Sequence, residues 1–242
     1  NSEAVRKSKR GSAQAADGWR ADHIKDINST PGKDGDHDPL GPLRIFSTNY
    51  AGGRLPVTKE VYGQMAGGKV AALAKRDSDA PRPAVVVDLF RRVGMAALLR
   101  ESRDDLAEEF GSKNEFGVGI QAPAQTIAWT MTLAKEKDPT VIQFWSDMKN
   151  GYSEVYNSAV EKGLQKFPPK LQWLRRAFAA FYGKQNTLYY RTGGGQEAIN
   201  EGAEENVTRI QTDGGVLQGD APSGVYFNAG VQGMYDQLQA EY

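Results

Sequence analysis

The chain has 242 residues, with thirty basic side chains balanced by thirty acidic ones, two histidines and no cysteine. At this length folding hides roughly 70–75% of the unfolded chain's surface, enough for one large domain, or one and a half, without staples. The neutral balance gives no global field toward nucleic acid or membrane. The missing cysteines exclude disulfides and thiolate chemistry, and His23 and His37 are too few for a multi-histidine metal site and argue against a serine–histidine triad.

Residues 1–15 are polar and carry the basic run Arg6-Lys7-Ser8-Lys9-Arg10, which reads as a mobile solvated arm or the tail of a targeting segment. Asp17-Gly18-Trp19 is a turn into a helix over roughly 19–28. The loop 29–42 alternates Asp34, Asp36 and Asp38 like the start of a calcium loop, but Pro39 and Ile45 stand where that loop needs Gly and Glu. Helices are expected over 43–51 and 58–66. VAALAK (70–75) and PAVVV (83–87) flank a polar, Pro-containing turn and read as a hairpin. The spacing of Leu89, Val93, Ala96 and Leu99 predicts one helix over 88–110. A loop at 114–119 and a helix over 123–136 follow.

VIQFW (141–145) reads as a buried strand ending in Ser146-Asp147. A helix from about Ser153 is broken at Pro168-Pro169, and Pro169 opens the next one. There Leu171, Leu174, Phe178 and Phe181 form an apolar stripe ended by Gly183. NTLYYR (186–191) and ENVTRI (205–210) read as a long hairpin, and GVLQGDAPSG (215–224) leads into a helix over 223–241. The expected class is α+β, helix-rich with short antiparallel hairpins. No apolar run approaches the length of a membrane span.

Charge is segregated. Residues 161–191 hold seven Lys or Arg against one acid, and residues 201–242 hold seven acids against one base. The basic segment, through Lys162, Lys166, Lys170, Arg175, Arg176 and Lys184, either faces phosphates such as those of RNA or forms solvated helix faces.

Several residues have chemistry to offer. Asp147, at the end of an apolar run, is a ligand position or a helix cap. Tyr152 is a ring near that carboxylate or a core residue. Gln218 and Gly219 lie between a strand and a helix, as a pocket wall or a tight turn. Lys75 and Arg82 face each other across the first hairpin, where two cations grip phosphates as point charge and fork, or protect an edge strand.

In this order these segments resemble one family. ADGWRADHIKDI (16–27), GRLP (53–56), AALAKRDSDAPRPAVV (71–86), FGVG (116–119), WSDMKNGYSEVYNS (145–158) and GVLQGDAPSGVYFNAGV (215–231) are similar to successive motifs of reverse transcriptase domains of the non-long-terminal-repeat retroelement kind. The resemblance covers about residues 15–242 and implies a fingers-like region over 16–140 and a partial palm over 141–242. It implies that Asp147 holds magnesium, that Tyr152 packs under the incoming sugar, that Lys75 and Arg82 hold the triphosphate, and that Gln218 and Gly219 shape the pocket. Magnesium wants several carboxylate and phosphate oxygens, and two ions serve nucleotidyl transfer.

The sequence also departs from the family. The family's second catalytic motif, a hairpin with adjacent aspartates, follows this last helix and is not among the 242 residues; the one Asp pair, Asp104-Asp105, comes far too early. Ala84, Gly151 and the segment Ala221-Pro222-Ser223-Gly224 replace the usual motif residues. The leading expectation is therefore an inactive, reverse-transcriptase-derived structural subunit of a larger assembly such as a mitochondrial ribosome. It would need no cofactor; other protein subunits would cover it, and RNA could contact it. It would be intracellular, with the mitochondrion ahead of nucleus or plastid. The alternative is a part of an active RNA-directed DNA polymerase, with magnesium at Asp147 completed by carboxylates from elsewhere. A third reading, an unrelated α/β binding protein, has only Gly117-Val118-Gly119 with Ala122 in its favour.

Overall fold

The computed structural model describes residues 15, 18–29, 38, 40–56, 58, 61, 65–74, 81–113, 115–143, 147–191 and 207–241. Lys75, the basic arm before residue 15, the acidic alternation at 34 and 36, and most of the helix expected over 58–66 lie outside them.

Helix α1 (Ala21–Ser29) buries Ala21 and Ile24, and Asp22 sits in its first turn, where a negative charge suits the helix N-terminus. Ile24 joins Leu40, Leu89 and Val93 in a small satellite cluster, with the Trp19 ring edge-on to Phe90 at 5.2 Å. Helix α2 (Gly41–Ala51), begun by Pro42, lies against α3 (Leu89–Glu101). Asp88 caps α3: one carboxylate oxygen accepts from the Arg91 N–H at 2.8 Å, and the other lies 2.9 Å from the Tyr50 hydroxyl. A cap of this kind stabilises a helix by about 1 kcal/mol.

Strands β1 (Gly68–Leu73) and β2 (Arg82–Val87) pair antiparallel, as do β3 (Asn186–Arg191) and β4 (Val207–Thr212). The expected hairpins are both present, and a parallel β1–β3 pairing joins them into one mixed sheet of order β2-β1-β3-β4. Gly68, Val85, Val87, Asn186 and Leu188 are buried, and all five point to the same face.

That face meets the main core. Helix α8 (Gln172–Tyr182), entered through a 3₁₀ turn at Pro169–Leu171, buries Trp173, Leu174, Ala177, Phe178, Phe181 and Tyr182, the recurrence of a helix with one apolar stripe. Its rings meet Tyr50 and Tyr226 edge-on, with Tyr50–Phe181 at 5.2 Å and Phe178–Tyr226 at 5.0 Å. Each such side chain taken from water stabilises the fold by about 1.5–3 kcal/mol. Helix α9 (Ser223–Glu241) packs along α7 (Asn157–Gln165). Its first half is buried through Val225, Tyr226 and Ala229, whereas Met234, Tyr235 and Leu238 farther along are exposed.

The structure corrects three expected elements. The helix over 88–110 is two helices, α3 and α4 (Arg103–Gly111), parted at Ser102, whose hydroxyl accepts a hydrogen bond from the buried Trp173 indole at 3.0 Å. The helix from Ser153 is also two pieces, α6 (Gly151–Glu154) and α7, because Val155 and Tyr156 adopt extended backbone. Residues 141–143 form no strand, and Ile142 is 91% exposed. None of the four described strands pairs with that segment, and an apolar run gains a strand's geometry only when a neighbour takes its N–H and C=O groups. Helix α5 (Pro123–Lys137) forms as expected but buries no residue. Among the described residues no helix is long and apolar enough to cross a membrane.

Candidate functional site

The segment Gly215–Pro222 is a tight turn between β4 and α9. Gly215 and Gly219 both have positive φ, at 74° and 112°. A Cβ at either would strike backbone, the Ser153 carbonyl oxygen in one case and the Val85 carbonyl oxygen in the other. Glycine is therefore required at both for conformation and for close approach.

Two main-chain hydrogen bonds clip this turn to distant parts of the chain. The Val85 N–H on β2 donates to the Gln218 carbonyl at 2.7 Å, and the Val216 N–H donates to the Tyr152 carbonyl on α6 at 2.7 Å. Within the turn, the Ser223 hydroxyl donates to the Leu217 carbonyl at 2.6 Å. Tyr152 rests on Phe227 with ring centroids 5.3 Å apart and keeps 37% of its surface exposed. Gly151 lets this happen, since a Cβ there would press on the Phe227 ring at 2.9 Å.

The base of the turn is held by charge. Asp220 pairs with Arg91 of α3, and neither side chain has any solvent exposure. The Tyr182 hydroxyl donates to the same Asp220 oxygen at 2.7 Å and accepts from the Leu217 N–H at 3.3 Å. Arg91 also donates to the Ala66 carbonyl at 3.0 Å and lies 4.0 Å from the centre of the Phe181 ring. Burial alone would lower the Arg91 pKa. The Asp220 carboxylate, with Tyr182, Tyr50 and Asp88 nearby, outweighs it and raises the pKa, so the guanidinium stays charged. Burial and the same carboxylate push the Tyr182 phenol up, which keeps its proton in place to donate.

The network is not fully satisfied: Asp220 Oδ1 and Arg91 Nε have no hydrogen-bond partner. A buried ion pair with atoms left over adds little stability compared with an apolar filling. What this one fixes is geometry, tying the turn to α3 and α8 at one register. Sequence reasoning missed it. The available signal was Arg91 between the apolar Leu89, Phe90 and Val93 at the opening of α3, together with the lone acid of Gln218-Gly219-Asp220.

The sequence-derived site residues fall as follows. Gln218 is half-buried, Gly219 is exposed, and both abut β2, the strand whose first residue is the exposed Arg82. Tyr152 joins them through Val216. Asp147 is exposed in the loop before α6, with no hydrogen bond or ion pair among the described residues. Lys75 lies outside the described residues. The turn, β2 and α6, about 65 and 130 residues apart in sequence, thus meet in one place.

Magnesium fits this site only in part. Asp147 is a suitable ligand, but among the described residues no three His, Cys, Asp or Glu side chains stand close enough to hold a metal ion. One carboxylate does not supply the anionic oxygens that a two-metal site needs.

The basic segment is largely occupied by its own neighbours. Lys170 pairs with Asp105 at 2.5 Å and Glu108 at 3.1 Å, Arg175 with Glu161 at 2.6 Å, and Lys166 with Asp236 at 3.7 Å. Arg176 donates to the Gly52 carbonyl at 3.0 Å. Lys162 and Lys184 are exposed.

No protein-family model matches the chain, and no curated protein matches it.

Proposed function

We propose that the chain is a reverse-transcriptase-like fingers and partial palm that serves as a non-catalytic subunit of a larger assembly. One observation carries the fold reading: three segments with that family's motif order, RPAVVV, NGYSE and GVLQGD, are joined by two 2.7 Å main-chain hydrogen bonds. The subunit reading is supported by surface. Helix α5 exposes Trp129 at 73% and Leu133 at 58%, and Ile142 beyond it is exposed at 91%. Apolar area of this kind, grouped on one element, marks a partner-binding face. Among the described residues no group of three metal-ligating side chains forms at Asp147.

Primer extension on an RNA template with magnesium tests it. The chain alone should incorporate no nucleotide. Incorporation abolished by Asp147→Asn would establish the second reading, a polymerase, which the solvent exposure of Asp147, Tyr152 and Arg82 favours.

A further inference from the structure

The sheet has two unlike faces. Residues Lys69, Val86, Tyr189 and Arg209 are register partners, one per strand, and form a single row across it. All strand residues that are buried point the other way, and no residue on this outer face is buried. Of its twelve side-chain positions, three in each of four strands, four are Lys or Arg (Lys69, Arg82, Arg191, Arg209) and none is Asp or Glu. In a chain of zero net charge this is a local, one-signed surface.

Tyr189 stands at the middle of the row. Its ring lies over Gly67, where a Cβ would sit 3.7 Å from the ring carbon Cε2. Lys69 and Arg209 flank it one strand away on either side, at a strand spacing of about 4.8 Å. Among the described residues, the side chains of Lys69, Tyr189 and Arg209 make no hydrogen bond or ion pair.

We propose that this open face docks single-stranded nucleic acid, with Tyr189 stacking on one base and Lys69 and Arg209 holding the phosphates on either side. An aromatic ring on a flat, cationic sheet offers a base a stacking partner and the backbone its counter-charge. A duplex keeps its bases stacked on each other and meets only the charge. The proposal does not rest on the reverse-transcriptase reading: of these residues only Arg82 belongs to the pocket assignments.

The test is fluorescence anisotropy of the whole 242-residue chain with a fluorescein-labelled 12-nucleotide oligouridylate. The oligonucleotide should bind, and Tyr189→Ala should weaken it by roughly 5- to 150-fold, the range for loss of one base–aromatic stack. Tyr189→Phe should stay within about twofold of the parent, since the ring face is kept. Lys69→Gln and Arg209→Gln should each flatten the slope of log affinity against log salt by about 0.7. All three positions lie on the unburied face of the sheet, and far-ultraviolet circular dichroism confirms that each variant folds. Unchanged binding by Tyr189→Ala would overturn the proposal. So would equal competition by a 12-base-pair RNA duplex or by a poly-glutamate peptide, which would leave charge alone as the attraction. The readout involves no polymerisation, so it stands or falls apart from the primer-extension result.

Discussion

The turn at Gly215–Pro222 and helix α5 are opposites built from similar material. Both carry several small residues. The turn is fixed at four points: the Val85 and Val216 hydrogen bonds, the Ser223 hydroxyl and the buried Asp220–Arg91 pair. Helix α5 buries no residue and displays Trp129 and Leu133 to solvent. The turn's geometry is therefore a property of the fold, whereas the exposed face of α5 is held by no packing among the described residues. A residue belongs to one class or the other according to what its removal disturbs.

Asp220→Ala should break the first region most severely. It leaves the Arg91 guanidinium buried without a counter-charge and removes the Tyr182 acceptor, at a cost of about 3–5 kcal/mol in urea or thermal unfolding. The loop between α4 and α5 is intermediate. There both carboxylate oxygens of Glu115 are shielded without a hydrogen-bond partner. Burial first, then the Asp236 and Glu109 carboxylates against the opposing Lys113, raise its pKa from 4.5 to about 7. A raised carboxyl pKa means that the folded chain binds this proton more tightly than the unfolded chain does. Stability from this group is thus full below pH 4.5 and is lost as pH rises toward about 7. Glu115→Gln should match the parent near pH 4 and exceed it near pH 8 by about 1–2 kcal/mol, after discounting for solvent at a half-buried group. In the second region Trp129→Ala and Leu133→Ala should each change unfolding free energy by less than about 0.5 kcal/mol. A loss of several kcal/mol there would show that α5 is packed after all.

The division also explains what the sequence made readable. Leu171, Leu174, Phe178 and Phe181 recur at helical spacing because one face of α8 is buried, and the helix is where the pattern puts it. Both hairpins were readable from short strand-like runs flanking Pro- or Gly-containing turns. Their fusion through the parallel β1–β3 pair was not, because partners 120 residues apart leave no local trace. Ser102 interrupts a helix where it receives the Trp173 indole, a tertiary contact that propensity does not carry. VIQFW had the composition of a buried strand, but Ile142 is solvent-facing, because composition does not supply the neighbouring strand. Motif order singled out Gln218, Gly219 and Tyr152, whose segments the fold brings together. Arg91 and Asp220 were not, since a buried ion pair is visible only once two helices and a turn are brought together.

The central claim is that the turn, β2 and α6 are locked together as one unit, and the two amides that make the lock can be read directly. Residue-resolved hydrogen exchange by NMR on the intact chain should find the Val85 and Val216 N–H groups as protected as amides within α8. Asp220→Ala should bring both to faster exchange together. Exchange of either amide at the rate of an unstructured peptide, while α8 remains protected, would contradict the account.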